Sequence, residues 1–182
     1  MLNGRGGVIL LSGKKVFLRA VELEDSRIIS AWLNDRDTNI NLDIIYPLSR
    51  RYADSYVLSS EEEASKRIFV IDNQDRKPIG LFIIDKIKWE YRNCEIGIVI
   101  YDKNQRGKGL GEDALRTGLD FIFNEMNMNL VYLHVLSDNK AALNLYRKLG
   151  FEFEGELRDR IYKNGKYHNL IVMSKKREED II

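Results

Sequence analysis

Gln105-Arg106-Gly107-Lys108-Gly109-Leu110-Gly111 places three glycines and two cations between an apolar run ending near Tyr101 and a helical pattern starting near Gly109. Glycines let the backbone approach a diphosphate closely, and the free amides and dipole of a helix N-terminus favour the anion. Arg106 and Lys108 add positive charge at the rim. The segment therefore reads as a pyrophosphate-binding loop. It is not a P-loop, because Gly109 follows Lys108 where Ser or Thr is required. It is not a dinucleotide fingerprint either, since Gly107-x-Gly109-x-Gly111 has the wrong spacing. A glycine-rich turn that binds nothing would give the same pattern. A second segment, residues 137–151, carries Asn139, Ala142, Tyr146, Gly150 and Phe151, and the two together are far more specific than either alone.

Both segments need a scaffold, and the apolar periodicity supplies one. Val16-Phe17-Leu18-Arg19-Ala20 predicts a first strand, and Ile28, Ile29, Trp32 and Leu33 mark one buried helix face that ends at residues 34–37. Pro47 and Ser49 open a second helix with Tyr52, Ala53, Tyr56 and Val57 inward, and residues 61–63 are expected to form a solvated loop. Residues 67–72 and 78–85 read as a hairpin around Asn73-Gln74-Asp75-Arg76, with a third strand over 94–101. A long helix over 109–126, with Ala114, Leu115, Gly118, Phe121 and Ile122 inward, leads to a strand over 130–135. A helix over 139–149 stops at Gly150, and strands over 151–161 and 167–175 flank the tight turn Asn164-Gly165.

Arg106-Gly107-Lys108-Gly109-Leu110-Gly111 fits, position by position, the Gln/Arg-x-x-Gly-x-Gly/Ala motif of the GNAT N-acetyltransferase superfamily, which the chain resembles. Asn139, Ala142, Tyr146, Gly150 and Phe151 fit that family's later motif, Asn-x-x-Ala-x-x-x-Tyr-x-x-x-Gly-Phe. The resemblance covers residues 16–175, and Tyr-Arg-Lys-Leu-Gly-Phe-x-x-Glu-Gly-Glu-Leu followed by Asn-Gly-x-Tyr looks like the RimJ/RimL-type branch, close to the spermidine N-acetyltransferases. It implies an α/β (α+β) fold, a mixed, mostly antiparallel central sheet flanked by helices, and transfer of acetyl from acetyl-CoA directly to an amine.

The resemblance also implies roles. Ile98, Val99 and Ile100 would offer backbone groups to the pantetheine arm as an added strand would, with amides near Val99 and Ile100 polarising the thioester carbonyl. Gln105, Arg106, Gly107, Lys108, Gly109, Leu110 and Gly111 would bind the diphosphate, chiefly through amides. Asn139 would hold the pantetheine or order the helix start. Tyr146 would protonate the departing thiolate; the alternative is an aromatic packed beside Leu145 and Leu149. An alkylamine with a pKa of about 10 must lose a proton before it can attack. Glu95 is the candidate base, its competing reading being an ion pair with a neighbouring cation. His134 reads as a packed histidine, Cys94 as a buried thiol, and His168 and Asn169 as a candidate acceptor-pocket rim.

Residues 20–60, which shape the acceptor pocket in this family, are only generically similar. The expected acceptor is a protein N-terminal amine. A polyamine or other small amine is the alternative, with Asp35, Asp37, Asp43 and residues 61–63 as available carboxylates, and a non-catalytic acetyl-CoA sensor is the reading of another class. Lys plus Arg (29) nearly balance Asp plus Glu (28), so neither nucleic acid nor membrane is an expected partner. The single Cys94 allows no internal disulfide and suits a reducing cytoplasm, and no metal is expected. One domain over residues 1–182 is expected, with a flexible tail over 1–12 and a homodimer through the exposed C-terminal hairpin edge.

Overall fold

The computed structural model describes residues 9–39 and 47–178. Eight strands form one sheet in the order β1-β2-β3-β4-β5-β6-β8-β7. They are β1 (Ile9–Ser12), β2 (Val16–Ala20), β3 (Arg67–Asn73), β4 (Pro78–Lys88), β5 (Asn93–Ile100), β6 (Leu130–Leu136), β7 (Glu152–Lys163) and β8 (Lys166–Lys176). Every neighbouring pair is antiparallel except β5 with β6. The helices are α1 (Ser26–Leu33), α2 (Arg50–Glu62), α3 (Leu110–Asp120) and α4 (Lys140–Lys148).

Strand side chains alternate between faces, so each face of the sheet carries its own core. Phe69 and Ile71 of β3, Phe82 and Ile84 of β4, and Cys94 and Ile96 of β5 pack with Leu115 of α3 and Leu143 and Tyr146 of α4. Ile68, Val70 and Leu81 take the other face, against Ile29 of α1 and Ala53 and Val57 of α2. α3 lies close on the sheet because it has no side chain at Gly118. A Cβ there would stand 2.3 Å from the Phe82 ring.

Three expectations are corrected. Of the tail expected over residues 1–12, residues 9–12 are β1, paired antiparallel with β2, and Leu11 packs against the larger core; residues 1–8 lie outside the described residues. Without β1, the N–H and C=O groups along β2 would form an open edge. The helix expected to run to residue 126 is α-helical only to Asp120 and closes in a π turn over Phe121–Glu125, with Met126 N–H donating to the Phe121 carbonyl. The wider turn keeps Phe121 against Phe69, ring centroids 5.9 Å apart, while Ile122 stays buried. Glu61 and Glu62 belong to the last turn of α2 rather than to a loop.

Asn164 and Gly165 both take positive φ, 51° and 80°, the conformation of a type I′ turn between β7 and β8. Among the described residues no helix is long and apolar enough to cross a membrane.

Candidate active site

β5 and β6 pair over only three positions, Asn93 with Leu130, Cys94 with Val131 and Glu95 with Tyr132. Beyond them β5 continues against β4 and β6 continues against β8, but the two no longer meet. The splay opens a cleft of about 720 Å³, walled by residues 96–100 on one side and residues 134–136 on the other. Strand edges in such a gap carry peptide groups that a neighbouring strand would otherwise use. An extended amide-bearing chain can take that strand's place.

The glycine loop follows from the end of β5. A short 3-10 turn over Lys103–Gln105 ends at Arg106; Gly107 and Gly109 then take φ of 75° and 79°, a region L side chains avoid, and Gly109 caps α3. The amides of Leu110, Gly111 and Glu112 start the helix, and the first amides of an α-helix have no partner within it. Lys15 Nζ reaches across from the β1–β2 turn to donate to the Lys108 carbonyl at 3.0 Å, which adds an ammonium beside the loop. Asp113 fixes that turn by accepting from the backbone N–H groups of Lys14, Lys15 and Val16 at 3.2, 2.6 and 3.1 Å. Glu112, the other acid of the first turn, is held by Lys148 at 2.6 Å and Arg116 at 3.1 Å.

Of the residues expected in the site, Glu95, Ile98, Val99, Ile100, Arg106, Asn139 and Tyr146 line the cleft. Gln105, Gly107, Lys108, Gly109, Leu110 and Gly111 form the loop and helix start beyond its β5 end. Arg106 does not stand free at the loop rim. Its Nε donates to the Ile100 carbonyl at 2.9 Å and its Nη2 to Thr38 Oγ1 at 3.1 Å, so the guanidinium serves a strand-end carbonyl and ties it to the segment after α1. Asn139 Oδ1 accepts from the Ala142 N–H at 3.2 Å, the N-cap geometry, while the residue also faces the cleft.

Tyr146 is 8% exposed and meets Phe151 edge-on, ring centroids 5.7 Å apart. Burial pushes its hydroxyl up to about 12, so the phenol keeps its proton at neutral pH. Burial likewise pushes the Cys94 thiol up to about 12, which agrees with packing rather than nucleophilic attack.

Alternation sends the side chains of β5 to opposite faces of the sheet. Ile96, Ile98 and Ile100 turn toward α3 and α4, whereas Val99 turns toward α1 and α2 with Glu95 in the same alternate register. Glu95 stands at the vertex of the cleft, with Oε1 2.8 Å from His134 Nδ1 and Oε2 2.6 Å from Lys86 Nζ. Burial works to raise its pKa, but the close Lys86 ammonium and the hydrogen bond with His134 outweigh that, and the carboxyl sits below its ordinary range. His134 is therefore no mere packing residue: its side chain is 28% exposed and it lines the cleft.

Lys86 was not legible in the sequence. It sits at φ 49° in an irregular stretch of β4 between Asp85 and Lys88, and no residue type there announces a left-handed position. Arg160 of β7 also lines the cleft, brought there by the long C-terminal hairpin.

Other candidates lie elsewhere. His168 Nδ1 is 2.9 Å from Asp138 Oδ2, and Asn169 bridges the Asp159 N–H and Glu156, so both brace the hairpin and the approach to α4; neither lines the cleft. Asp35 and Asp37 are paired with Lys103 at 3.4 and 2.7 Å, residues 61–63 are exposed at the end of α2, and Asp43 lies outside the described residues. No group of three metal-ligating side chains occurs among the described residues.

The sequence model of the acetyltransferase (GNAT) domain matches residues 15–152. The spermidine N(1)-acetyltransferase of Escherichia coli is 33% identical over 168 residues, 89% of this chain and 86% of that protein. A crystal structure of spermidine N-acetyltransferase from Vibrio cholerae in complex with CoA and spermine superposes with a TM-score of 0.82 at 28% identity, covering 88% of this chain and 95% of the other. A dodecameric structure of the Vibrio cholerae enzyme gives a TM-score of 0.77 at 29% identity, over 88% and 93% of the two chains. The RimJ/RimL-type likeness does not reappear in these matches.

Proposed function

Since the chain belongs to the GNAT acetyltransferase family, and is thus an acetyl-CoA-dependent N-acetyltransferase, we propose that its acceptor is a polyamine of the spermidine kind. One observation carries the choice: the similarity to spermidine acetyltransferases runs through 89% of the chain, including the region before β3 whose sequence is too generic to name an acceptor by motif. That finding favours the polyamine over the protein N-terminal amine expected from the sequence.

Acetyl-CoA would supply an activated thioester carbonyl. The residues fit it: the splayed edge of β5 suits an amide-bearing arm, and the Gly107–Gly109 turn with the α3 amides suits a diphosphate, aided by Lys15. Tyr146 holds a proton on its hydroxyl beside the donor-side core, ready for a departing thiolate. Glu95 gives the acceptor face a carboxylate that attracts an ammonium. The exposed Phe153 on β7, which forms one edge of the sheet, supports association between copies of the chain.

A second reading rests on the charges in the cleft. Among the described residues that line it, Lys86, Arg106 and Arg160 outnumber the single carboxylate Glu95, which favours an acceptor with one cation, such as a protein N-terminus. CoA release measured with spermidine, spermine, a diamine, a monoamine of matched length and N-terminal peptides separates the two. The polyamine reading expects kcat/KM for spermidine at least about 100-fold above the peptides, a difference of about 2.7 kcal/mol. Peptide preference of that size would overturn it.

A further inference from the structure

We infer that His134, rather than Glu95, takes the proton from the acceptor ammonium, and that Glu95 is the positioning residue that aims it. The inference deepens the reading above, because it takes the acceptor to be an alkylammonium. Both carboxylate oxygens of Glu95 are engaged, Oε1 by a hydrogen bond with His134 Nδ1 at 2.8 Å and Oε2 by an ion pair with Lys86 Nζ at 2.6 Å whose angle is too poor for a hydrogen bond. A carboxylate that lies against an ammonium and already accepts one hydrogen bond is a poor place to put a further proton. Its partner is a good one. A carboxylate can only accept, so Nδ1 must carry the hydrogen of that contact, and the lone pair of a neutral imidazole is then on Nε2.

The placement agrees. Glu95 and Tyr132 form the last parallel pair of β5 and β6, and His134 is two residues further, on the same face, just where the strands part. His134 and Tyr146 line one cleft from different elements, β6 and α4, so a proton acceptor and a proton donor flank the gap. Among the described residues, the charged and titratable groups that share this corner with His134 are Glu95 on β5, Lys86 on β4, Tyr132 on β6 with its ring centroid 6.0 Å away, and Arg160 on β7, while Asp85 on β4 acts on Tyr132. Lys86 reaches Glu95 from a left-handed backbone position, φ 49°, that non-glycine residues rarely adopt. The ion pair keeps Glu95 ionised. In the step itself, one N–H bond of the ammonium breaks and an Nε2–H bond forms. The electron pair stays on the amine nitrogen, and His134 later returns the proton to water through the partly exposed side of its ring.

The test is the pH dependence of kcat/KM for spermidine in the wild type, His134→Gln and Glu95→Gln, with acetyl-CoA affinity measured alongside to show that each variant is folded. His134→Gln is expected to lose about 100-fold or more at neutral pH. Its remaining rate should climb tenfold per pH unit toward pH 10, as the amine begins to deprotonate itself, while the wild type levels off. Glu95→Gln should lose less and keep the level region. A His134→Gln profile that matches the wild type, or a Glu95→Gln variant that alone shows the climbing profile, overturns the inference.

A second measurement needs no substrate. The chain has two histidines, so side-chain 15N NMR can assign each with one variant. His134 should be the Nδ1–H tautomer, and this preference should weaken in Glu95→Gln; an Nε2–H tautomer in the wild type overturns the proposal. If the wild type acetylates peptides but not spermidine, the polyamine reading fails, and the same pH profiles on the peptide amine and the NMR result still decide the role of His134.

Discussion

The two faces of the sheet are built in different ways. On the α3–α4 face the functional groups are local in sequence: a glycine turn, the helix start it creates, an N-cap and a tyrosine seven residues after that cap. On the other side of the cleft they are assembled across the fold, with Lys86 from a bulged strand, Glu95 from the next and His134 from a strand 39 positions later, and Arg160 comes into the cleft from the far hairpin. Short-range construction leaves a motif. Long-range construction leaves only isolated polar residues, and it would let the proposed acceptor side change without disturbing the proposed donor side.

The sharpest way to test that separation is Tyr146→Phe. Removing the hydroxyl should lower kcat by about 100-fold or more while leaving acetyl-CoA affinity within about threefold, as measured by steady-state kinetics and calorimetry. An affinity loss as large as the rate loss would mean that Tyr146 serves binding and not proton transfer. Because its pKa is raised to about 12, Tyr146 should impose no alkaline fall in rate below about pH 10. The sign for stability follows as well. The unfolded phenol ionises near pH 10 and the folded one near 12, so its contribution is complete below pH 10 and declines as pH rises through that window.

Gly118→Ala probes the packing that seats the donor face. Its Cβ would fall 2.3 Å from the wholly buried Phe82 ring, so thermal or denaturant unfolding should show a loss of about 1–3 kcal/mol. Unchanged stability would mean that α3 is free to lift from the sheet. Gly109→Ala places a side chain at φ 79° and should cost about 1–2 kcal/mol, with acetyl-CoA binding weakened and the Glu95–His134 pair untouched. The smallest effect is expected from Lys15→Met. Acetyl-CoA affinity should drop a few-fold at low ionic strength and hardly at all at high salt, since the ammonium is exposed. A salt-independent loss would show that Lys15 shapes the loop rather than attracting charge.

Much of this architecture can be read in the sequence where the chemistry is local. Asn73-Gln74-Asp75-Arg76 turns the β3–β4 hairpin because Asn73 Oδ1 accepts from two backbone amides of its own turn, and Asn164-Gly165 turns the last one. The glycine loop and Asn139 stand where their types and spacing put them. Arg106 shows the limit: its residue type suggests a phosphate contact, but the Ile100 carbonyl at the end of β5 claims the guanidinium first. His134 shows another. Between Leu133 and Val135 it reads as core, and only the parallel junction with β5 brings Glu95 within hydrogen-bonding distance. Residues 9–12 were too short an apolar run to announce a strand, and pairing with β2 makes them one.

The three-position contact between β5 and β6 is also a mechanical seam. Strands β1 to β5 form one antiparallel block and β6 to β8 another, and few rungs of the ladder join them. A bound pantetheine arm would supply missing rungs. Amide hydrogen exchange at residues 96–100 and 133–136 should therefore slow when CoA binds, well away from the phosphate loop, and the enzyme should resist unfolding better with its donor than without it. The cleft proposed to admit the donor is then also the weakest line in the sheet.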